Sequence, residues 1–231
     1  MKLNFLTKIK LKFSPKKKLL VIGDSHTAVF NSPQFTKFFR SKYHIFVETV
    51  GGATVSGLEN PNSKTEALAK FRAAHQLIKP DTLLIQLGEV DTGFVIWYRA
   101  QKYQAAVCEM LAKSLSNYRA LLTELQGLEQ TLVLSAPLPT IKDDQDWGEI
   151  ANLRKEITAS QFERTALTLK FNTEMQKITE DLGLEYINLD AQSLANNGVV
   201  STFLLSKDVN DHHYDTNNYL SLLLPHLEKL I

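Results

Sequence analysis

Five short apolar runs, separated by longer stretches with helical spacing, limit most strongly how this chain can fold. Each run is at most seven residues long and rich in Val, Ile and Leu: LLVIG (19–23), HIFVETV (44–50), TLLIQLG (82–88), TLVLSAP (131–137) and LEYINL (184–189). Runs of this length and composition are typical of strands that are buried on both faces. The sequence therefore predicts five strands inside a sheet.

Helical periodicity fills the intervals between the runs. Four helices are predicted, over residues 63–79, 98–126, about 153–182 and about 215–230. The first begins at Ser63 with Glu66 three places later, which is a capping-box pattern, and Pro80 ends it. Asp215 is a good N-cap for the last helix.

Strand and helix alternate through the whole chain, and this pattern predicts a parallel sheet with helices on both faces. We expect an α/β protein of flavodoxin-like type, a three-layer α/β/α sandwich around a five-stranded parallel sheet. The chain has 231 residues and no evident linker or repeat. We therefore expect one domain over residues 19–231, preceded by a basic leader over residues 1–18.

The leader carries seven lysines and no acid. Lysines at positions 8, 10 and 12 interrupt its apolar residues, so it does not have the continuous core of a secretory signal. Two alternatives remain. One is a solvated leader, and the other is a basic amphipathic segment that makes weak contact with an anionic membrane surface.

The remaining composition is that of an ordinary globular protein, with a formal net charge of +1. It gives no reason to expect a nucleic-acid partner, and it does not indicate an oligomeric state. The single cysteine, Cys108, cannot form a disulfide within the chain. This favours a reducing, cytoplasmic location, peripheral to the inner membrane if the leader binds lipid.

A serine directly follows the first apolar run, in the stretch GDSH at residues 23–26. In open parallel sheets, ligands bind beyond the carboxyl ends of the strands, and Ser25 is predicted at that edge. A serine hydroxyl becomes a good nucleophile only when a base takes its proton. His26 is adjacent to the serine, but a neighbouring side chain usually points elsewhere. The segment KDVNDHHYDTNNYLSLLL (207–224) falls on the same edge and holds two more histidines.

GDSH, VGGATVSG (50–57), LGEVD (87–91) and a histidine before the last helix occur in the order seen in the SGNH (GDSL-type) hydrolase superfamily. The chain resembles that superfamily from residue 19 to about 225. The resemblance implies that Ser25 is the nucleophile and that its own N–H and that of Gly52 form part of the oxyanion hole. HYDTNNY fits the family's last motif if the base is His213 rather than His212.

The acid of the last motif departs from the family pattern. The family places it three residues before the histidine, where this chain has Asn210. Asp208 and Asp211 flank that position, and either could orient His213 after a small shift of the loop. A dyad oriented by Asn210 or by a backbone carbonyl is the other alternative.

The third motif departs further, because Val90 stands where the family has an asparagine that donates to the oxyanion. Three alternatives follow: Arg99 or Asn60 replaces the donor, Glu89 is recruited, or the site is slow or silent. Asp91 either braces the loop or contacts substrate, and Asp24 beside the serine is a further candidate. Trp97 and Tyr98, just downstream, either stack on a sugar or begin a core helix.

The leading hypothesis is an esterase or O-acyltransferase that uses Ser25, His213 and Asp211 on an acyl ester, preferably acetyl. The resemblance suggests a carbohydrate or bacterial surface polysaccharide as the substrate, and it implies no metal and no organic cofactor. The alternative is a catalytically silent SGNH-like domain that binds carbohydrate or acts as a scaffold. Labelling with a serine-reactive fluorophosphonate distinguishes the two.

Overall fold

A computed structural model of the chain describes residues 14–127, 129–143, 157–208 and 210–231. Most of the predicted leader, residues 1–13, lies outside the described residues. Residues 17 and 18, also assigned to the leader, instead begin the first strand. Among the described residues, no helix has the length and apolar character needed to cross a bilayer.

Five parallel strands form one sheet in the spatial order β2-β1-β3-β4-β5. Their bounds are β1 Lys17–Gly23, β2 Tyr43–Thr49, β3 Thr82–Gln86, β4 Gln130–Leu134 and β5 Glu185–Ile187. Each predicted run overlaps one strand, with β1, β2 and β4 beginning before their runs, and the predicted three-layer α/β/α architecture is confirmed. The strand order reverses beside β1, which is where such sheets bind ligands.

Helices cover both faces of the sheet. They are α1 Pro33–Phe39, α2 Ala67–Ile78, α3 Ile96–Tyr103, α4 Val107–Leu125, α5 Gln161–Asp181, α6 Asp190–Ser193 and α7 Thr216–Leu230. A 3-10 segment, Ser25–Asn31, follows β1, and a π-helical segment, Asp91–Val95, runs into α3. Helix α1 was not expected from the sequence.

The alternation of side chains along β1 divides the core into two layers. Leu20 and Ile22 face the layer built with α2, α4 and α5, whereas Leu19 and Val21 face the layer built with α1 and α7. All four side chains are fully buried. A continuous apolar run is therefore what a central strand with two covered faces requires.

Two helix predictions were wrong at their N-terminal ends. The predicted capping box at Ser63 does not form, because Glu66 adopts a left-handed conformation (φ 51°) and caps α2 without a side-chain hydrogen bond. The predicted helix over 153–182 begins at Gln161, where Ser160 and Glu163 form a capping box. Residues 153–156 of that prediction lie outside the described residues.

The predicted helix over 98–126 is two helices. Gln104, in a left-handed conformation (φ 50°), ends α3 and bonds back to the carbonyls of Ala100 and Gln101. Helix α4 starts three residues later. The apolar spacing continues across this break, and no glycine or proline marks it. The sequence therefore did not indicate two helices.

Candidate functional site

Ser25 lies at the carboxyl end of β1, where the chain turns sharply. A Cβ on Gly23 would lie 2.0 Å from the carbonyl oxygen of Gln86 and 2.5 Å from Thr27 Cγ2, so only glycine fits there. Asp24 then caps the 3-10 segment by accepting a hydrogen bond from the N–H of His26. Ser25 is consequently presented, half-buried, at the rim of the sheet.

A cleft of about 170 Å³ lies between the 3-10 segment and the start of α7. It is lined by residues from three parts of the chain, namely Ser25, His26, Ala28, Val29, Pro137, Asp211, His213, Tyr214, Thr216 and Tyr219. The structure therefore brings Ser25 and His213 to one cleft, although they are far apart in the sequence.

His213 is held by the carboxylate two residues before it. Its Nδ1 lies 2.6 Å from Oδ1 of Asp211, and its backbone N–H donates to the same oxygen at 3.0 Å. We assign the ring proton to Nδ1, because a carboxylate accepts hydrogen bonds, so Nε2 carries the lone pair. Nε2 is buried and has no hydrogen-bond partner among the described residues.

The environment of Asp211 keeps it ionised near neutral pH. Burial acts to raise the pKa of Asp211. Hydrogen bonds from the backbone and ring of His213, with the charges of His213 and His212, outweigh that effect and hold the pKa below its ordinary value. An anion at this position stabilises an imidazolium on His213.

The other candidate orienting groups lie away from the imidazole. Asp208 and Asn210 are exposed, and Oδ1 of Asp208 accepts the backbone N–H of Asn210 at 2.9 Å. The family position three residues before the histidine therefore faces outward in this chain. The structure pairs His213 with Asp211 instead.

Three imidazoles meet at the cleft. The ring of His213 lies 4.2 Å from that of His212 and 4.8 Å from that of His26, between ring centroids. Nδ1 of His26 is 3.2 Å from Oδ1 of the fully buried Asp24. Sequence reasoning set His26 aside as a neighbour that points elsewhere, and the 3-10 turn brings it into the cleft.

Gly52, the proposed second oxyanion donor, belongs to the loop that follows β2. Gly52 is exposed, has a positive φ of 69°, and is not among the residues that line the cleft. Glycine adopts that backbone conformation without steric cost, and a bare N–H there remains open to approach from solvent.

The structure places the proposed replacements for the missing asparagine outside the lining of the cleft. Nη1 of Arg99 lies 3.5 Å from Oε1 of Glu59, and Oδ1 of Asn60 accepts the N–H of Asn62. Glu89 is buried, with Oε1 3.0 Å from the position of a Cβ on Gly93. None of Arg99, Asn60 and Glu89 is among the residues that line the cleft.

Asp91 braces the loop that follows β2. Its Oδ2 accepts the N–H of Val55 at 2.7 Å, and its Oδ1 accepts the N–H of Ser56 at 2.8 Å. The side chain is fully buried, and this burial raises the pKa of Asp91 despite the hydrogen bonds. The geometry matches the bracing alternative, in which Asp91 holds the loop of Gly52.

Three aromatic residues follow LGEVD closely, and all three are half-buried. Trp97 packs against the core and donates from Nε1 to the carbonyl of Thr92 at 2.8 Å. Phe94 and Tyr98 stack on each other, with ring centroids 5.6 Å apart, and both are half-buried. None of the three aromatic residues is among those that line the cleft.

Two buried tyrosines form the floor of the cleft. Tyr219 accepts a hydrogen bond from Nε2 of Gln86 at 2.7 Å, and Tyr214 accepts one from the N–H of Leu138 at 2.6 Å. Asp215 caps α7 by accepting the N–H of Asn218. These contacts fix the loop that carries His213 to strands β3 and β4.

No protein-family model matches the chain, and no curated protein matches it. Solved structures do. A GDSL-like lipase from Bacteroides thetaiotaomicron has a TM-score of 0.63 and 14% identity, over 93% of this chain and 89% of that one. An acetyl xylan esterase has a TM-score of 0.57 and 14% identity, over 93% of this chain and 100% of that one.

A serine-to-alanine catalytic mutant of an acetylxylan esterase from Geobacillus stearothermophilus is also similar. Its TM-score is 0.54 and its identity 15%, over 92% of this chain and 93% of that one. At these identities the likeness shows a shared fold, namely that of the GDSL-type hydrolases. The resemblance inferred from the sequence is thus confirmed at the level of the fold.

Proposed function

We propose that this chain, which has the fold of the GDSL-type hydrolases, is a serine-dependent enzyme that removes or transfers a short acyl group. One observation carries the proposal. Asp211 holds Nδ1 of His213, and the unpartnered Nε2 is buried at the cleft that Ser25 also lines. A base oriented by a carboxylate, beside a serine, is the arrangement that acyl transfer requires.

The chemistry follows from these positions. As Oγ of Ser25 attacks the ester carbonyl, Nε2 of His213 takes its proton and Asp211 stabilises the imidazolium. The tetrahedral intermediate collapses to an acyl-enzyme, and the imidazolium returns the proton to the leaving alcohol. Water or a sugar hydroxyl then attacks, with His213 again as the base. The N–H groups of Ser25 and Gly52 are the proposed oxyanion donors.

The hydrogen bond from Ser25 to Nε2 is not formed in this structure, among the described residues. Catalytic hydrogen bonds are often long before substrate binds and tighten in the complex, so a change of side-chain rotamer is part of the proposal.

The size and lining of the cleft favour a short acyl chain. Its volume is about 170 Å³, and Ala28, Val29 and Pro137 supply the apolar part of its wall. A carbohydrate is the proposed alcohol part, by analogy with the structural neighbours. Two structural neighbours are named as esterases of acetylated xylan.

Hydrolysis of p-nitrophenyl acetate tests the proposal. We expect Ser25→Ala and His213→Ala to lower kcat by about 10³-fold or more, because each removes a member of one proton-transfer unit. His226→Ala, which changes a histidine well along α7, is the control and should keep full activity. A serine-reactive fluorophosphonate should label Ser25 in the wild type.

Asp211→Asn separates orientation from binding. It should lower kcat by about 10²- to 10⁴-fold with little effect on KM, because the amide cannot stabilise the imidazolium. Asp208→Asn is the matched control on the same loop and should leave kcat unchanged. Equal losses in both variants would show that the loop, rather than the carboxylate at 211, matters.

A silent carbohydrate-binding or scaffolding domain is the second candidate, and Val90 favours it because this side chain donates no hydrogen bond. A folded protein that neither turns over p-nitrophenyl acetate nor reacts with the fluorophosphonate would support that candidate over the enzyme. Release of acetate without added sugar would indicate a hydrolase, and acetylated product with added sugar an acyltransferase.

A further inference from the structure

We propose that Asp211, His212 and His213 form a binding site for a divalent transition-metal ion of the Zn²⁺ class, and that bound metal switches the enzyme off. Binding follows from the donor atoms alone. The inhibitory effect rests on the proposed function, because it requires His213 to be the base.

The three side chains place their donor atoms close together. One ligand atom from each, a carboxylate oxygen and two imidazole nitrogens, lie within 4.8 Å of one another. The two imidazole rings are 4.2 Å apart between centroids, tilted by 34°. The three residues are consecutive, so one loop carries all the proposed ligands.

The donor set selects the class of ion. Two imidazoles and one carboxylate suit Zn²⁺ and its neighbours such as Co²⁺, whereas Mg²⁺ and Ca²⁺ prefer oxygen ligands. Three protein ligands leave the fourth tetrahedral position to water. Solvent can deliver the ion, because the side chains of His213 and Asp211 are 31% and 41% exposed.

The unpartnered nitrogen that the proposed function assigns to the base is also a donor atom that a metal ion can use. Nε2 of His213 is buried and has no hydrogen-bond partner among the described residues. His26 lies against the same ring, but its Nδ1 is 3.2 Å from Asp24, so we assign it to the wall of the site and not to the ligands.

Metal binding and proton transfer exclude each other at His213. If the ion binds Nε2, it occupies the lone pair that would take the serine proton. If it binds Nδ1, the ring proton moves through solvent to Nε2, which then has no lone pair to take the serine proton. In both cases Asp211 becomes a metal ligand and is no longer available to orient the ring.

The test uses the full chain and the metal alone. Calorimetric titration with Zn²⁺, and the visible absorption of bound Co²⁺, should show one site per wild-type chain. His212→Gln should weaken binding by about tenfold or more, because it removes a ligand but leaves the proposed catalytic residues in place. His226→Gln, on α7, is the matched histidine control and should bind as the wild type does.

Activity gives the second readout. Zn²⁺ should inhibit hydrolysis of p-nitrophenyl acetate in the wild type, a chelator should restore it, and His212→Gln should resist the metal when each protein is compared with its own metal-free rate. Equal binding by the wild type and His212→Gln would overturn the proposed site. Stoichiometric binding without inhibition of an active enzyme would overturn the switch.

The two proposals fail separately. A chain that binds one Zn²⁺ through His212 but never hydrolyses the ester would retain the metal site and lose the proposed function. An enzyme that hydrolyses the ester through Ser25 but binds no Zn²⁺ would retain the function and lose the metal site.

Discussion

Val90 is the residue of the third motif that fits the proposed acyl-transfer reaction least well. It begins the turn after β3, where it is half-buried, and its side chain cannot donate a hydrogen bond. The polar side chains nearest to it in the sequence, Glu89 and Asp91, are both buried. With fewer donors aimed at the developing oxyanion, the proposed reaction is expected to be slow.

Val90→Asn should therefore raise kcat for p-nitrophenyl acetate, by up to about 10²-fold, because one oxyanion donor is worth about that much. Val90→Leu is the control, since leucine has nearly the shape of asparagine without a donor, and should give no gain. An unchanged kcat in Val90→Asn would mean that another group already fills this role or that residue 90 does not face the oxyanion.

The neighbours of His213 determine which of its two ring nitrogens can act as a base. The Asp211 carboxylate fixes one nitrogen and leaves the other for chemistry. The rings of His26 and His212 pack against it. The sequence pattern HH does not indicate which of the two histidines is the base. The direction of each ring in the folded loop decides it.

At the scale of elements, the important connection is between the loops that follow β2 and β3. Asp91, at the start of the π-helical segment, holds two consecutive N–H groups of the turn at Val55 and Ser56. That turn continues from the loop of Gly52. The proposed oxyanion glycine is thus positioned by a carboxylate from a different strand connection.

Asp91→Ala should lower the free energy of unfolding by about 2–5 kcal/mol, because it leaves two buried N–H groups without acceptors. Denaturant titration measures the loss. Asp181→Ala is the control, since its carboxylate is 63% exposed in an ion pair with Arg119, and should cost less than about 1 kcal/mol. If the two variants lose the same stability, Asp91 is not a brace.

The 3-10 segment after β1 also positions side chains at the site. Thr27 donates from both its N–H and its hydroxyl to the carbonyl of Asp24, which tightens the turn. The tight turn directs His26 toward the cleft, beside Ser25 and the loop of His213. An ordinary α-helical start would have placed these side chains differently.

At the scale of the whole molecule, stability depends on two apolar layers that share one sheet. The sheet lies between the two layers, and its central strands bury side chains on both faces. The helices supply the rest of the core. Ionisable groups within this packing couple the stability of the fold to pH. Asp190, beside β5, is the clearest case.

Burial raises the pKa of Asp190 to about 6, although hydrogen bonds with Asn172 and Asn188 partly oppose this. The folded protein therefore holds a proton that the unfolded chain, with a pKa near 3.8, has already lost. Stability is then full below about pH 4 and falls as pH rises to about 6, by at most about 3 kcal/mol.

Asp190→Asn should remove this fall, because the amide is neutral at every pH and its oxygen can still accept from Asn172. Thermal unfolding at pH 4 should give similar stability for both proteins, and at pH 7.5 the variant should be the more stable. A difference between the two proteins that stays constant from pH 4 to 7.5 would contradict the assignment.

By itself the sequence determined the strands, their parallel arrangement and the edge of the sheet at which Ser25 lies. These features follow from the number and order of apolar runs. A strand that is covered on both faces packs mainly apolar side chains at odd and at even positions alike. The order of the motifs along the chain also limited the base to the segment before α7.

Only the tertiary structure decided the directions of side chains in the loops. It paired His213 with Asp211 rather than with the residue at the family position, turned His26 into the cleft, and ended α3 at Gln104. These outcomes depend on a few backbone torsions, set by contacts between distant parts of the chain. Hydrophobic periodicity carries no information about such torsions.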